Sequence, residues 1–153
     1  MHIEVLDEGY HDDVIEIAEK LKVKEDGSGW FLEDAWKRMI PLDIKIQKGY
    51  VAVEKEVIGF ITYFSEYGKA KIGWIAVDPE RHGEGIGRGL LKAVEEDVNK
   101  SGSDVLYVET PTKEEGIGND YEGTYLFYEA MGFTVEEVIE DDNCDMALLI
   151  KKL

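Results

Sequence analysis

The sequence predicts a single domain of the mixed α+β class, with a mostly antiparallel sheet and one parallel β-α-β crossover. The chain has 153 residues, a length typical of one domain, and it contains no repeat or linker-like segment. Short β-rich runs outnumber the stretches of helical periodicity. One β-rich run directly follows a long amphipathic helix, which indicates a parallel strand pair because such a pair needs a crossover connection. We therefore expect one domain over residues 1–153.

In the first third of the chain the residue pattern predicts one short strand and two helices. Residues 2–6 are β-rich, and a capping-box pattern beginning at Asp13 opens a helix. Residues 24–29 form a loop, and a second short helix runs from Trp30 to Ile40 and ends at Pro41. The apolar face of the first helix consists of Val14, Ile17, Ala18 and Leu21.

The middle of the chain predicts a hairpin followed by the crossover. Residues 50–53 and 57–64 are two strands joined by a tight turn. A third strand, 72–77, leads through a glycine-rich loop into a helix over 85–99, and residues 105–108 form the next strand. The helix carries apolar residues every fourth position, namely Ile86, Leu90, Val94 and Val98.

The last part predicts a helix and a final strand pair. Residues 111–120 form a polar loop, and a helix over 121–131 is closed by Gly132. Strands 133–139 and 146–150 then flank an acidic turn.

The composition disfavours several classes of partner. Seventeen basic residues face 34 acidic ones, and this net charge of −17 disfavours nucleic acids and anionic membranes while favouring cationic partners. No apolar run reaches the length of a membrane span, and the N-terminus lacks a signal-peptide pattern, so we expect a cytoplasmic protein. Cys144 is the only cysteine, and no His/Cys cluster suggests a metal site.

The strongest local signal is the glycine-rich loop at residues 77–89. Four glycines alternate between Gly83 and Gly89, directly after a strand and at the start of a helix. Glycines allow close approach of the backbone, and free N–H groups at a helix N-terminus bind anions. The loop fits neither a Walker A motif nor a dinucleotide fingerprint, since both spacings fail here.

Two motifs resemble those of the GNAT superfamily of N-acetyltransferases. Residues 82–87 fit the [R/Q]-x-x-G-x-[G/A] coenzyme A loop, with His82 replacing the usual Arg or Gln. Residues 127–133 resemble the F-Y-E-x-x-G-F helix and following strand of that family. The resemblance extends over about residues 50–139 and implies a GNAT-type sheet with helices on both faces.

The resemblance implies that acetyl-CoA binds in a V-shaped opening between the strand ending at Val77 and strand 105–110. The pantetheine arm would pair with the backbone of Ile75, Ala76 and Val77. The pyrophosphate would bind the loop and helix start formed by His82, Gly83, Glu84, Gly85, Ile86, Gly87 and Arg88.

The resemblance also suggests catalytic residues. Tyr128 matches the family tyrosine that donates a proton to the CoA sulfur; the alternative is that it packs against the pantetheine. Glu109 is the candidate general base; the alternative is an ion-paired carboxylate at a strand end. For His82 we favour a phosphate or structural contact over a role as base. Where many members have an asparagine near the helix start, this chain has Tyr121 and Thr124.

The sequence therefore predicts an acetyl-CoA-dependent N-acetyltransferase in which a primary amine attacks the thioester directly. Acidic residues beside aromatic ones in 25–36, facing those of 114–122, favour a cationic small-molecule or peptide acceptor: a polyamine, a peptide N-terminus or a lysine-like amine. A non-catalytic acyl-CoA-binding or sensor module and an acidic protein-interaction domain are the alternatives. A homodimer is left open.

Overall fold

A computed structural model describes all residues, 1–153, and contains one seven-stranded sheet. The strands are β1 (His2–Val5), β2 (Lys48–Glu54), β3 (Glu56–Glu66), β4 (Lys69–Val77), β5 (Val105–Pro111), β6 (Thr134–Ile139) and β7 (Met146–Lys152). Their order across the sheet is β1-β2-β3-β4-β5-β7-β6, and only β4 and β5 pair in parallel. The predicted α+β class with one parallel crossover is confirmed.

Five helices accompany the sheet: α1 (His11–Lys20), α2 (Ile40–Ile46), α3 (Ile86–Lys100), α4 (Lys113–Gly116) and α5 (Tyr121–Ala130). A π-helical turn, Ala35–Met39, directly precedes α2, and a 3-10 turn, Pro79–Arg81, follows β4. None of the helices combines the length and the apolar character that crossing a membrane requires.

Two hydrophobic cores lie on opposite faces of the sheet. Helices α1 and α2 pack with Val51 and Phe60 in one core. Helix α3 and part of α5 pack with Ile61, Leu106 and Leu149 in the other. Helices therefore cover both faces, as the family resemblance implied.

A β-bulge interrupts β4 at its centre. Ile61 pairs with Ile75 while Tyr63 pairs with Ile72, so two residues of β4 oppose one residue of β3. The extra residue reverses the alternation of the strand: Ile72 packs in the α3-side core, whereas Ala76 packs in the α1-side core. Bulges bend strands, and this one lies where β4 leaves its parallel neighbour.

The parallel pair is short. Strands β4 and β5 are in register only at Ala70 with Leu106 and at Lys71 with Tyr107. Beyond the bulge the strands separate and leave a gap between the end of β4 and the end of β5. This gap is the V-shaped opening that the family resemblance implied.

The second predicted helix is wrong at both ends. Trp30 lies outside any helix, and Phe31 forms a bridge with Lys22. The helix continues through Pro41 to Ile46 because a π turn directly before the proline changes the local hydrogen-bond pattern and accommodates the missing N–H. The π turn widens the helix just before the proline, with the N–H of Ile40 donating to the carbonyl of Ala35.

Helix α4 was missed inside the segment predicted as a polar loop, residues 111–120. It is one turn long, and Thr112 caps it by accepting a hydrogen bond from the N–H of Glu115.

Candidate active site

A cleft of about 980 Å³ passes through the sheet where β4 and β5 separate. On the α2 side it is lined by Phe31, Asp43 and Trp74, which belong to or pack near the α1-side core. On the α5 side it is lined by Phe127 and Tyr128, which pack in or against the α3-side core. The cleft therefore offers two separate approaches to one narrow gap.

The end of β4 presents free backbone groups to this gap. The N–H of Asp78 donates to the carbonyl of Ile58 in β3 (2.8 Å). Because backbone groups alternate along a strand, those of Val77 and Ile75 point away from β3, toward the gap. Ala76 instead directs its backbone groups to β3 and buries its methyl group in the core. Ile75 and Val77 are thus the two residues that offer an open strand edge.

Asp78 fixes the turn that leaves β4. Its carboxylate is almost completely buried, accepts a hydrogen bond from the N–H of Glu80 (3.0 Å) and pairs with Lys20 (3.1 Å). Burial opposes ionisation, but the hydrogen bond from Glu80 and the ammonium of Lys20 outweigh it and lower the pKa of Asp78. These two contacts of Asp78 therefore fix the backbone at the point where the loop begins.

The glycines of the loop differ in why, or whether, the structure requires glycine at their positions. Gly83 and Gly85 have φ angles of 83° and 80°, in the left-handed region that other residues rarely adopt. Gly87 has no such requirement, since a Cβ there would make only an ordinary contact, 3.4 Å, with the ring of Phe127. Gly85 is also the N-cap of α3 and offers no capping side chain, so the first N–H groups of the helix remain open to a ligand.

The charged side chains around the loop differ in whether they form ion pairs. Arg81 forms ion pairs with Glu84 (2.9 Å) and Glu54 (3.0 Å), so the side chain of the predicted loop residue Glu84 is engaged by a protein group. Arg88 is exposed in the first turn of α3 and lines the cleft. Ile86 is buried in the core and has only its backbone available for a ligand.

His82 has a structural contact in the loop. Its Nε2 lies 2.9 Å from the carbonyl oxygen of Val77, and its ring meets that of Trp30 edge to face at 5.5 Å. The imidazole therefore ties the loop to the end of β4 and covers one of the two outward carbonyl groups.

Tyr128 lies at the α5 side of the gap. It is 3% exposed, lines the cleft, and packs against Phe127 and Phe133 with ring centroids 5.3 and 5.4 Å away. Burial raises the pKa of Tyr128 above its ordinary value. The hydroxyl therefore stays protonated throughout the neutral and mildly alkaline range.

Glu109 lines the α2 side of the same gap. It lies on the face of β5 opposite to Val108, whose side chain is in the α3-side core. Its carboxylate pairs with Lys71 (3.2 Å), which also approaches Glu66 (3.6 Å). Glu109 is thus both a cleft-lining carboxylate and a partner in a strand-end ion pair.

The segments predicted to flank the acceptor do meet. The N–H of Gly29 donates to the Asp120 carboxylate (2.6 Å), and the hydroxyl of Tyr121 donates to the carbonyl of Trp30 (2.7 Å). The indole N–H of Trp30 lies within reach of Thr124 Oγ1 (3.2 Å). The two positions that depart from the family pattern, Tyr121 and Thr124, therefore hold Trp30 across the cleft.

The acidic residues of 25–36 and 114–122, which were predicted to form an acidic rim around the acceptor, mostly do not line the cleft. Among them only Asp120 does. Glu33 and Asp34 instead pair with Lys37 and Arg38 one turn along their own helix. The remaining predicted rim residues, none of which lines the cleft, are Glu25, Asp26, Glu114, Glu115 and Glu122.

Sequence reasoning missed three cleft residues, Asp43, Gln47 and Trp74. Asp43 lies in α2 and Gln47 is the C-cap of that helix, and the indole N–H of Trp74 donates to Asp43 (2.8 Å). The i, i+4 spacing was the available signal, but the helix was predicted to end before it, at Pro41.

Comparison with known proteins shows what this chain is similar to. A family model described as the acetyltransferase (GNAT) domain matches residues 46–135. No curated protein matches the chain significantly.

Several solved structures share the fold. The aminoglycoside 6'-N-acetyltransferase of Enterococcus faecium is 19% identical with a TM-score of 0.76, covering 99% of this chain and 97% of that one. The PaiA N-acetyltransferase of Thermoplasma acidophilum, solved with coenzyme A, is 22% identical with a TM-score of 0.73 and full coverage of both chains. The ribosomal-protein-S18-alanine N-acetyltransferase of Escherichia coli is 17% identical with a TM-score of 0.71, covering 99% and 92%.

Proposed function

Since this chain belongs to the acetyltransferases of the GNAT family, we propose that it moves an acetyl group from acetyl-CoA to a cationic primary amine by direct attack on the thioester. The observation that carries the proposal is the gap between β4 and β5, which opens beside the uncapped N-terminus of α3.

The residues around the gap fit acetyl-CoA, which supplies the acetyl group in activated form as a thioester. The outward backbone groups of Ile75 suit an extended arm that adds to the strand edge, whereas the carbonyl of Val77 is already met by His82. The first N–H groups of α3, reached over Gly83 and Gly85, suit a pyrophosphate. Arg88 adds the cation that an acidic chain otherwise lacks here. In this proposal His82 and Glu84 shape the loop, and their side chains contact protein groups.

The two sides of the cleft separate the hydrogen bond to the leaving sulfur from the proton transfer at the attacking nitrogen. Tyr128, on the α5 side, keeps its proton and donates a hydrogen bond to the departing sulfur; its raised pKa favours hydrogen bonding over complete proton transfer. Glu109, on the α2 side, accepts the proton of the attacking amine. The N–H of Val77 points into the gap and can stabilise negative charge that develops on the carbonyl oxygen.

The charge of the cleft favours a cationic acceptor. Three carboxylates line it, those of Asp43, Glu109 and Asp120. Of the three cations that line it, Lys71 pairs with Glu109 itself, Arg81 pairs with Glu54 and Glu84, and Arg88 lies at the start of α3. Asp43 and Asp120 form no ion pair and are the carboxylates left to attract a cation. With a net charge of −17 on the chain, a positively charged amine is attracted and an anionic one repelled.

A panel of amines tests the proposal. The purified chain is incubated with acetyl-CoA and polyamines, lysine-containing peptides, amino-sugar phosphates or acidic amino acids, and N-acetyl products are measured by mass spectrometry. We expect products from the cationic amines at the highest kcat/KM. Binding of acetyl-CoA without product from any amine would favour the non-catalytic binding module instead. Preference for acidic amines would contradict the cationic acceptor while retaining the acetyltransferase.

A further inference from the structure

We propose that the α2 wall of the cleft, formed by Asp43, Gln47 and Trp74, is a binding subsite for a second ammonium group of the acceptor. The acceptor would then carry at least two amino groups, one that is acetylated and one that is held by this wall. The inference rests on the proposed function for the identity of the reacting nitrogen, but the binding subsite can be tested without catalysis.

Asp43 supplies a carboxylate that faces the cleft. Its Oδ2 accepts a hydrogen bond from the indole N–H of Trp74 (2.8 Å), which fixes the orientation of the carboxylate. This is a neutral donor, so the negative charge of Asp43 is not balanced by it. Lys71, the cation on this side of the cleft, is held by Glu109 and Glu66. A cationic ligand would therefore meet an uncompensated charge at Asp43.

Gln47 supplies a carbonyl oxygen that has no partner. Its Oε1 is buried and forms no hydrogen bond in the protein, although the residue lines the cleft. Buried polar atoms are almost always paired, and a rotation of the amide from its place over Gly73 toward the cleft would bring Oε1 to a donor that enters there. The amide lies directly over Gly73, where a Cβ would be only 2.1 Å from Oε1. The glycine in the bulge of β4 thus makes room for this amide.

The positions of the two side chains match one ligand group. Asp43 lies in α2 and Gln47 is its C-cap, and the N–H of Gln47 donates to the carbonyl of Asp43 (2.7 Å), so both residues line the cleft from the end of this helix. Trp74, in edge-to-face contact with Phe31 at 5.6 Å, borders the subsite with aromatic surface. An ammonium group has donors for both oxygens and interacts favourably with an aromatic face, whereas a carboxylate or phosphate would be repelled.

The subsite also lies on the correct side of the sheet. Trp74 packs against the α1-side core, and Glu109 points to the same face from β5. One acceptor molecule can therefore place one nitrogen near Glu109 and another against α2. A monoamine of the same length would fill only the first position.

The test compares α,ω-diamines of three to eight carbons with monoamines of matched length. Steady-state kinetics with acetyl-CoA gives the ratio of kcat/KM for the two, and calorimetry measures diamine binding to the protein without acetyl-CoA. We expect the wild type to prefer a diamine by about tenfold or more, the usual worth of a charge-assisted hydrogen bond. Asp43→Asn and Gln47→Met should bring the ratio close to one and weaken diamine binding.

Two variants separate a loss of the subsite from a general effect on folding or charge. Gln47→Met removes an oxygen that makes no hydrogen bond in the protein, so it tests the subsite without breaking an internal contact. Asp34→Asn removes the same charge as Asp43→Asn from an exposed residue outside the cleft and should keep the wild-type ratio. Equal kcat/KM for diamines and monoamines in the wild type, or a preference that survives both cleft variants, would overturn the subsite. If no amine is acetylated but diamine binding depends on Asp43 and Gln47, the subsite stands and the proposed function fails.

Discussion

Gly85 and Gly102 stand at the two ends of α3 with similar left-handed backbones, φ 80° and 97°, and a Cβ at either position would meet only open space. Only Gly85 lines the cleft. Replacing either by valine should cost roughly 1–3 kcal/mol of folding free energy through backbone strain. We expect Gly85→Val alone to weaken CoA binding severely in calorimetry. Equal CoA affinity in the two variants would exclude the loop as the pyrophosphate site.

Arg88→Ala should weaken CoA binding less than Gly85→Val does. The side chain of Arg88 is exposed and adds one solvent-screened charge, whereas Gly85 permits the approach of the ligand to the backbone. Calorimetry at two salt concentrations checks this, because only the contribution of Arg88 should shrink as salt is added.

Tyr128→Phe should lower kcat by about 100-fold while leaving CoA affinity close to that of the wild type. The variant keeps the ring that packs between Phe127 and Phe133 and removes only the hydroxyl. Because burial raises the pKa of Tyr128, its proton is retained as pH rises past the ordinary tyrosine value. The wild-type kcat should therefore show no loss from Tyr128 between pH 7 and pH 10. An unchanged kcat in Tyr128→Phe would leave Tyr128 as a packing residue.

At the scale of single residues the sequence predicted backbone conformation better than side-chain contacts. The alternating glycines indicate an anion site because their spacing itself reports the backbone conformation, as at Gly83 and Gly85. The contact between His82 and Val77 depends on how the loop folds back onto the strand, and no sequence pattern reports that.

The bulge in β4 is the element that creates the gap, and one side chain supports it. The N–H of Trp74, released from the regular ladder, donates to Thr62 Oγ1 (2.9 Å). Thr62→Val keeps the shape and leaves this N–H unpaired, so we expect a loss of about 1–3 kcal/mol in unfolding free energy. Thr110→Val is the matched control, because the Thr110 hydroxyl is buried without a partner and its removal should be neutral or stabilising. Denaturant unfolding compares them, and equal losses would contradict a specific role of Thr62.

Element order and strand type were predictable, but the bulge and the α2 helix were not. Gly73 in the middle of a strand is the single sequence signal for the bulge, and a lone glycine is compatible with a regular strand. Pro41 normally marks a helix end, yet here a π turn precedes it and the helix continues. As a consequence Asp43 and Gln47 were assigned to no element, and the α2 wall of the cleft could not be predicted.

The net charge of −17 acts on the whole molecule. It should attract a cationic amine over about a Debye length and therefore raise its kcat/KM at low ionic strength. We expect kcat/KM for a diamine to fall several-fold between roughly 0.02 and 0.5 M salt, whereas that for an uncharged amine of similar size should change little. The same salt dependence for both acceptors would show that the field of the chain does not select the substrate.

The transfer of the acetyl group itself tests the central claim most directly. A single turnover with acetyl-CoA labelled in its acetyl carbons and a cationic diamine in excess, analysed by mass spectrometry, reports where the label goes. The two-sided cleft predicts one labelled N-acetyl group on the amine for each CoA thiol released, with Gly102→Val behaving as the wild type and Gly85→Val losing the product. Label that stays on CoA, or that appears as free acetate, would contradict it.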